Sequence, residues 1–160
     1  MEIKQFKVIF TSQRKELYDF IKSTDLTYKK TYIEMTKIYE SDTFNEGNSV
    51  FILFDKGQIK GSVAVITKEI SIKGEAYITD IYVQKENILK NDAYFNIQLK
   101  ILNTKIFLRT LIEKAVNYCE ICNAKNVKVG IRESEAHLIP HIEAIEFTHI
   151  YDVVIMKRSE

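Results

Sequence analysis

The sequence predicts an α/β fold, a mixed central sheet with an antiparallel half, and three observations carry that prediction. The apolar residues switch along the chain between a period of two and a helical period. The resulting order is strand, two helices, a three-strand meander, a long helix, a strand, a short helix and a last strand. The 160 residues include only five glycines and one proline, so no stretch reads as a linker and one domain over residues 1–160 is expected.

Met1 to Phe10, with Ile3, Phe6, Val8 and Phe10 mostly separated by polar residues, reads as the first strand. Ser12 is placed as the cap of a short helix carrying Leu17, Phe20 and Ile21 on one side. Asp25 is expected to cap a second helix, where Tyr28, Tyr32, Met35 and Tyr39 recur at helical steps. The period then shortens. Val50 to Phe54 is an apolar strand, Asp55-Lys56-Gly57-Gln58 a turn with glycine available for a positive φ, and Ile59 to Lys68 the returning strand. Lys73-Gly74 makes the next turn, and Glu75 to Val83, dense in β-branched and aromatic residues, the third strand of the meander.

A polar segment, Gln84 to Asp92, has no clear period. Beyond it Leu108, Leu111, Ile112, Ala115, Val116, Cys119 and Cys122 repeat every three or four residues, the clearest helical face in the chain. Asn126 to Ile131 is a strand, Leu138, Ile142 and Ile145 mark a short helical piece, and a last strand runs from about His149 to Met156.

Charge narrows the function classes. Lys plus Arg is 23 and Asp plus Glu is 22, a net +1, which lacks the basic surplus of a nucleic-acid or anionic-membrane binder. Only Arg14, Arg109, Arg132 and Arg158 are arginines, so Lys supplies most positive charge. No apolar run approaches a bilayer span and the first residues lack a signal-peptide layout, so a cytoplasmic protein is expected. Two cysteines are too few for a disulfide framework, in keeping with a reducing compartment. Cys119 and Cys122 have the C-x-x-C spacing but share the apolar face of a helix, where packing explains them. His137 and His141 lack the Glu of a zinc helix and flank Pro140, so no metal site is expected.

Four places resemble the GNAT superfamily of N-acetyltransferases. Gly57-Gln58-Ile59-Lys60-Gly61-Ser62-Val63-Ala64 is similar to the turn between the family's second and third strands. Ile78-Thr79-Asp80-Ile81-Tyr82-Val83 resembles its fourth strand. Leu108 to Val129 is similar to its third helix and fifth strand, and Phe147 with Val153-Val154-Ile155-Met156-Lys157 to its closing "GF" and terminal strand. The resemblance implies a sheet of about six to seven strands with about four helices, and a V-shaped splay between 75–83 and 126–131 that receives acetyl-CoA. It implies that the backbone of Ile81, Tyr82 and Val83 pairs with the pantetheine, and that the pyrophosphate sits at the N-terminus of the long helix.

The family's glycine-rich phosphate loop is missing, since no glycine lies between Gly74 and Gly130. Counting back from Asn123 puts the loop on Asn103, Thr104, Lys105, Ile106, Phe107 and Leu108, the preferred placement, with Asn103 or Thr104 capping the helix. Counting forward from Val83 puts it near Ile88 to Ala93. A helix starting near Asp92 would then add Phe95, Leu99 and Leu102 to its apolar face. Lys105 or Lys90 is available to replace the lost donors. The resemblance puts the family's Tyr acid at Ile142, which transfers no proton, so His141, Tyr151 or a water takes that role. Asp80, on the central strand where burial raises a carboxyl pKa, is the candidate general base. Tyr28 and Tyr32 are candidates to border the acceptor.

The resemblance thus implies an acetyl-CoA-dependent N-acetyltransferase acting by direct attack of a primary amine of a small molecule or peptide, as monomer or homodimer. The competing expectation is a GNAT-fold module without catalysis that senses CoA or binds a protein.

Overall fold

A computed structural model describes residues 1–44, 48–85, 89–145 and 152–158. Among the described residues six strands form one sheet in the order β1-β2-β3-β4-β5-β6. They are β1 Glu2–Gln5, β2 Ser49–Asp55, β3 Gln58–Ile66, β4 Glu75–Val83, β5 Asn126–Arg132 and β6 Asp152–Arg158. The first four run antiparallel, and β4, β5 and β6 run parallel. The helices are α1 Thr11–Thr24, α2 Tyr32–Phe44, α3 Ile70–Lys73, α4 Tyr94–Ile121 and α5 Ile139–Glu143. Among the described residues no helix is long and apolar enough to cross a membrane.

Both faces of the sheet are covered, so β2 is apolar without alternation. Phe51 and Leu53 of β2 pack with Val63 and Val65 of β3 and with Leu108, Leu111, Ile112 and Ala115 of α4. Val50, Ile52 and Phe54 point the other way, with Phe6, Leu17, Ile21, Met35 and Tyr39 of the N-terminal segment, α1 and α2. Gly61 lets α4 lie close on β3, because a Cβ there would run into Leu111 Cδ1 and the Tyr82 carbonyl.

Local chemistry sets the boundaries. β1 stops at Gln5 and Phe6–Val8 form a 3₁₀ turn, where a strand to Phe10 was expected. Ser12 lies inside α1. The cap comes from Gln13, whose Oε1 accepts the Phe10 N–H at 3.0 Å. Asp25 does not cap α2: Thr31 Oγ1 accepts the Glu34 N–H at 3.2 Å, leaving Tyr28 in the preceding loop. The hairpin Lys56-Gly57 has both φ positive, the form that matches strand twist. Gly74, also at positive φ, ends α3, and its carbonyl accepts the Lys125 and Asn126 N–H groups, which sets β5 beside β4. Pro140 sits in the first turn of α5 and does not interrupt it, because an N–H there has no helical partner.

The expected start of the long helix needs correction. α4 begins at Tyr94, so Asn103, Thr104, Lys105, Ile106, Phe107 and Leu108 lie in its interior, with their N–H groups committed to the helical ladder. The helix does start near Asp92, but Phe95, Leu99 and Leu102 do not extend the buried face: all three are exposed.

Candidate functional site

The parallel strands β4 and β5 pair only from Glu75–Asn126 to Ile78–Val129. Beyond that point no pairing joins them among the described residues, although β4 continues to Val83 and β5 to Arg132. The strands therefore part, and the edge of β4 over 81–83 faces β5 without a ladder among the described residues.

A bulge begins where they part. Ala64 of β3 faces Thr79 and Ser62 faces Tyr82, so Asp80 and Ile81 together oppose the single residue Val63. Asp80 takes a φ of 50°, a left-handed conformation that Asp tolerates better than most residues. The extra residue reverses the facing of everything after it. Ala76 and Ile78 point toward α4 before the bulge, Ile81 and Val83 after it, and Tyr82 turns to the face of α1 and α2. Asp80 is half-buried at this kink, not enclosed among Ile78, Ile81 and Tyr82 as expected.

On the α1 and α2 face the site is aromatic. Tyr28 meets the Tyr82 ring edge-on at 6.3 Å and Tyr18 at the same distance, and Tyr18 meets Tyr32 at 5.8 Å. The Arg132 guanidinium lies 4.3 Å from the centre of the Tyr82 ring, donates to Asp25 Oδ2 at 3.2 Å and stands 3.7 Å from Glu135 Oε1. Glu135, 9% exposed, also faces Lys85 at 3.4 Å and His137 at 3.5 Å. Burial, with Asp80, Tyr18, Glu34 and Asp25 nearby, pushes the Tyr28 hydroxyl up to about 12. Burial and Asp80 raise Tyr82 further, against the pull of Arg132. Both hydroxyls stay protonated at neutral pH, as donors and not as bases.

On the α4 and α5 face lies a cavity of about 280 Å³, lined by Lys85, Lys100, Thr104, Lys105, His137 and His141 over a floor including Ile101, Leu108 and Leu138. A narrower slot between Thr79-Asp80-Ile81 and Gly130-Ile131-Arg132 meets it at Leu138. Thr104 Oγ1 donates toward the Gln84 carbonyl at 3.3 Å, tying α4 to the end of β4. Gln84 Oε1 is buried with no hydrogen-bond partner among the described residues, an acceptor that a bound amide would satisfy. Asp92 holds Lys100 at 2.7 Å, and that contact with the Leu89 N–H keeps its carboxyl below the usual carboxylate range.

The predicted residues fall into three groups. Asp80 and Ile81 line the splay; Thr104, Lys105, Leu108 and His141 line the cavity, not a helix end. Asn103, Ile106 and Phe107 border a different surface hollow, beside Met1 and Lys60. His141 and Asp80 share no pocket, and Tyr151 lies outside the described residues, as do Ile88 and Phe147. Sequence reasoning missed Asp25, Arg132, Glu135, Lys85 and Lys100. Cys119 is buried against the sheet, and burial pushes its thiol up to about 12, as suits packing. No cluster of three or more His, Cys, Asp or Glu able to hold a metal occurs among the described residues.

Neither a protein-family model nor a curated protein sequence matches the chain. Solved structures do. A probable acetyltransferase from Staphylococcus epidermidis superposes with a TM-score of 0.63 at 12% identity, covering 94% of this chain and 92% of that one. A putative acetyltransferase from Agrobacterium tumefaciens gives 0.61 at 9% identity, covering 94% and 97%. The glucosamine-6-phosphate N-acetyltransferase of Arabidopsis thaliana gives 0.55 at 14%, covering 95% and 100%. The chain has the fold of the GNAT acetyltransferases.

Proposed function

We propose that the protein is an N-acetyltransferase that takes its acetyl group from acetyl-CoA and delivers it by direct attack to a primary amine of a small molecule or peptide. The observation that carries this is the parting of β4 and β5 at the Asp80 bulge, which leaves a strand edge between an aromatic face and a largely apolar cavity with three lysines on its wall. A resemblance in fold to acetyltransferases, one of them acting on an amino sugar phosphate, supports the same reading.

The residues fit the donor. The unpaired edge of Ile81, Tyr82 and Val83 and the orphaned Gln84 Oε1 suit the amides of the pantetheine arm. Lys85, Lys100, Lys105 and His137 suit phosphate, taking over by side chain what a glycine loop does by backbone. Acetyl-CoA supplies the acetyl group as a thioester. The chain's own part is to admit the amine from the tyrosine side, beside the packed rings of Tyr28 and Tyr82 and with Tyr32 near by. Asp80 takes the ammonium proton as the nitrogen becomes a nucleophile. A proton is returned to the leaving sulfur by His141 or Tyr151.

The test is release of CoA thiol from acetyl-CoA in the presence of a panel of amines and peptides, with Asp80→Asn as control. Turnover abolished in the variant supports the proposal; no turnover with any amine by a protein that binds acetyl-CoA leaves the second reading, a CoA-sensing or interaction module. That reading has one observation in its favour, the enclosure of the 103–108 amides within α4.

A further inference from the structure

Glu135 is mostly buried, at 9% exposure, yet the proposed transfer of an acetyl group does not use it. Its Oε1 stands 3.4 Å from Lys85 Nζ and 3.7 Å from a guanidinium nitrogen of Arg132, and its Oε2 3.5 Å from His137 Nε2. Arg132 is held in turn by Asp25 and by the Tyr82 ring. These contacts tie down the segment Glu133–Leu138, which joins β5 to α5, where β4 and β5 part. At the end of that segment Leu138 is buried and belongs to the same core as Leu108 and Ile142. It lines both the slot and the larger cavity, and so forms part of the wall between them. The slot's other apolar residues, Ile81 and Ile131, are buried as well. Its free volume is about 10 Å³, against about 280 Å³ for the cavity. That is the room one water needs, and a methyl group is of similar size. Packed side chains held from several sides do not make way for a larger group without cost.

We infer that Leu138, held in place through Glu135, limits the donor's acyl group to the size of acetyl. This limit rests on the proposed acetyl-CoA reading and makes it more specific. Asp80, the proposed base, lines the slot, while Lys85, Lys100 and Lys105 line the cavity. The thioester therefore lies at the slot end and the phosphates at the lysine end, with the acyl tail turned into the slot. An acetyl methyl fits there, whereas a propionyl or butyryl tail meets Leu138 and Ile131. One methylene too many in an apolar pocket is worth about 10–200-fold in discrimination. Glu135 is thus a positioning residue: it touches no part of the donor, and keeps the segment that carries Leu138 from moving aside.

The experiment is titration calorimetry of the whole chain with free CoA, acetyl-CoA, propionyl-CoA and butyryl-CoA, and thiol release from the three thioesters alongside. Wild type is expected to bind butyryl-CoA at least about tenfold more weakly than acetyl-CoA, and to lose about 10–200-fold in kcat/KM from acetyl to propionyl. Leu138→Ala should bring the binding of acetyl-CoA and butyryl-CoA within about threefold of each other. Leu138→Val, a gentler trim that keeps the core filled, should narrow the gap for propionyl-CoA. Glu135→Gln, which keeps the size and removes the charge, should narrow it in the same direction. Ile101→Ala trims the cavity and not the slot, and should leave the acyl preference as in wild type. Tight binding of free CoA and all three thioesters alike by wild type overturns the inference and leaves the donor reading standing. A preference that neither Leu138 variant moves does the same. No binding of free CoA or of any thioester overturns the inference together with the donor reading.

Discussion

Asp80 is asked to do two separable things, to hold a left-handed bulge and to take a proton, and three substitutions pull these apart. At a φ of 50° an ordinary L-residue is disfavoured by roughly 1–2 kcal/mol, while Asp and Asn are disfavoured less. Asp80→Asn keeps the size and the left-handed tolerance and removes only the basic oxygen. Its melting temperature is expected to stay within about 1 °C of wild type, with acetylation falling about 10²–10⁴-fold, the usual contribution of a positioned base. Asp80→Ala removes both. It costs about 1 kcal/mol, which for a chain of this size lowers the melting temperature by about 2–4 °C. Asp80→Gly suits the backbone but supplies no base, so it is expected to be inactive without the loss of melting temperature seen in the Ala variant. The assay is thiol release beside thermal unfolding of the same preparations. If Asp80→Asn or Asp80→Gly turns over within about threefold of wild type, Asp80 is no general base and serves the bulge alone.

Other outcomes follow from the same geometry. Lys105→Glu reverses a charge on the cavity wall and is expected to remove most of the stabilisation by acetyl-CoA while leaving the unliganded melting temperature nearly unchanged; an intact ligand shift would move the phosphates elsewhere. Arg132→Ala leaves Asp25 and the mostly buried Glu135 short of a cation and uncovers Tyr82, a loss of about 2 kcal/mol, or about 4–8 °C, by thermal unfolding; Arg132→Lys should recover only part, because an ammonium does not stack as a guanidinium does. Tyr28 titrates higher folded than unfolded, so its contribution is complete below about pH 10 and is lost as pH rises toward about 12; Tyr28→Phe should flatten stability over that window, and an unchanged alkaline slope would count against the buried hydroxyl.

What could be read from the residues follows from how local each feature is. β4 spans Glu75–Val83 as expected, because β-branched and aromatic residues fill it and glycine ends the preceding turn. The bulge was legible too, though not recognised: the buried apolar positions 76, 78, 81 and 83 break a period of two at Asp80. The start of α4 was not legible. Before Phe107 the helix is apolar on its outer face as well, so the contrast between faces that marks a helix is missing there. Tyr28 lies at helical spacing from Tyr32 but precedes the helix, since Thr31 caps it. The Asp25–Arg132 pair joins residues 107 apart, and Glu135 meets Lys85, Arg132 and His137 from three positions; no local pattern announces such pairings.

The central claim is that this sheet parts at Asp80 to hold acetyl-CoA without a glycine loop, and thermal unfolding with saturating acetyl-CoA tests it most directly. A ligand at a hundred times its dissociation constant adds about 2.7 kcal/mol, which for this chain length raises the midpoint by about 5–10 °C. The account predicts a shift of that size, lost in Lys105→Glu and kept in Asp80→Asn. An unchanged midpoint at millimolar acetyl-CoA would contradict it and leave the fold without the donor it is proposed to hold.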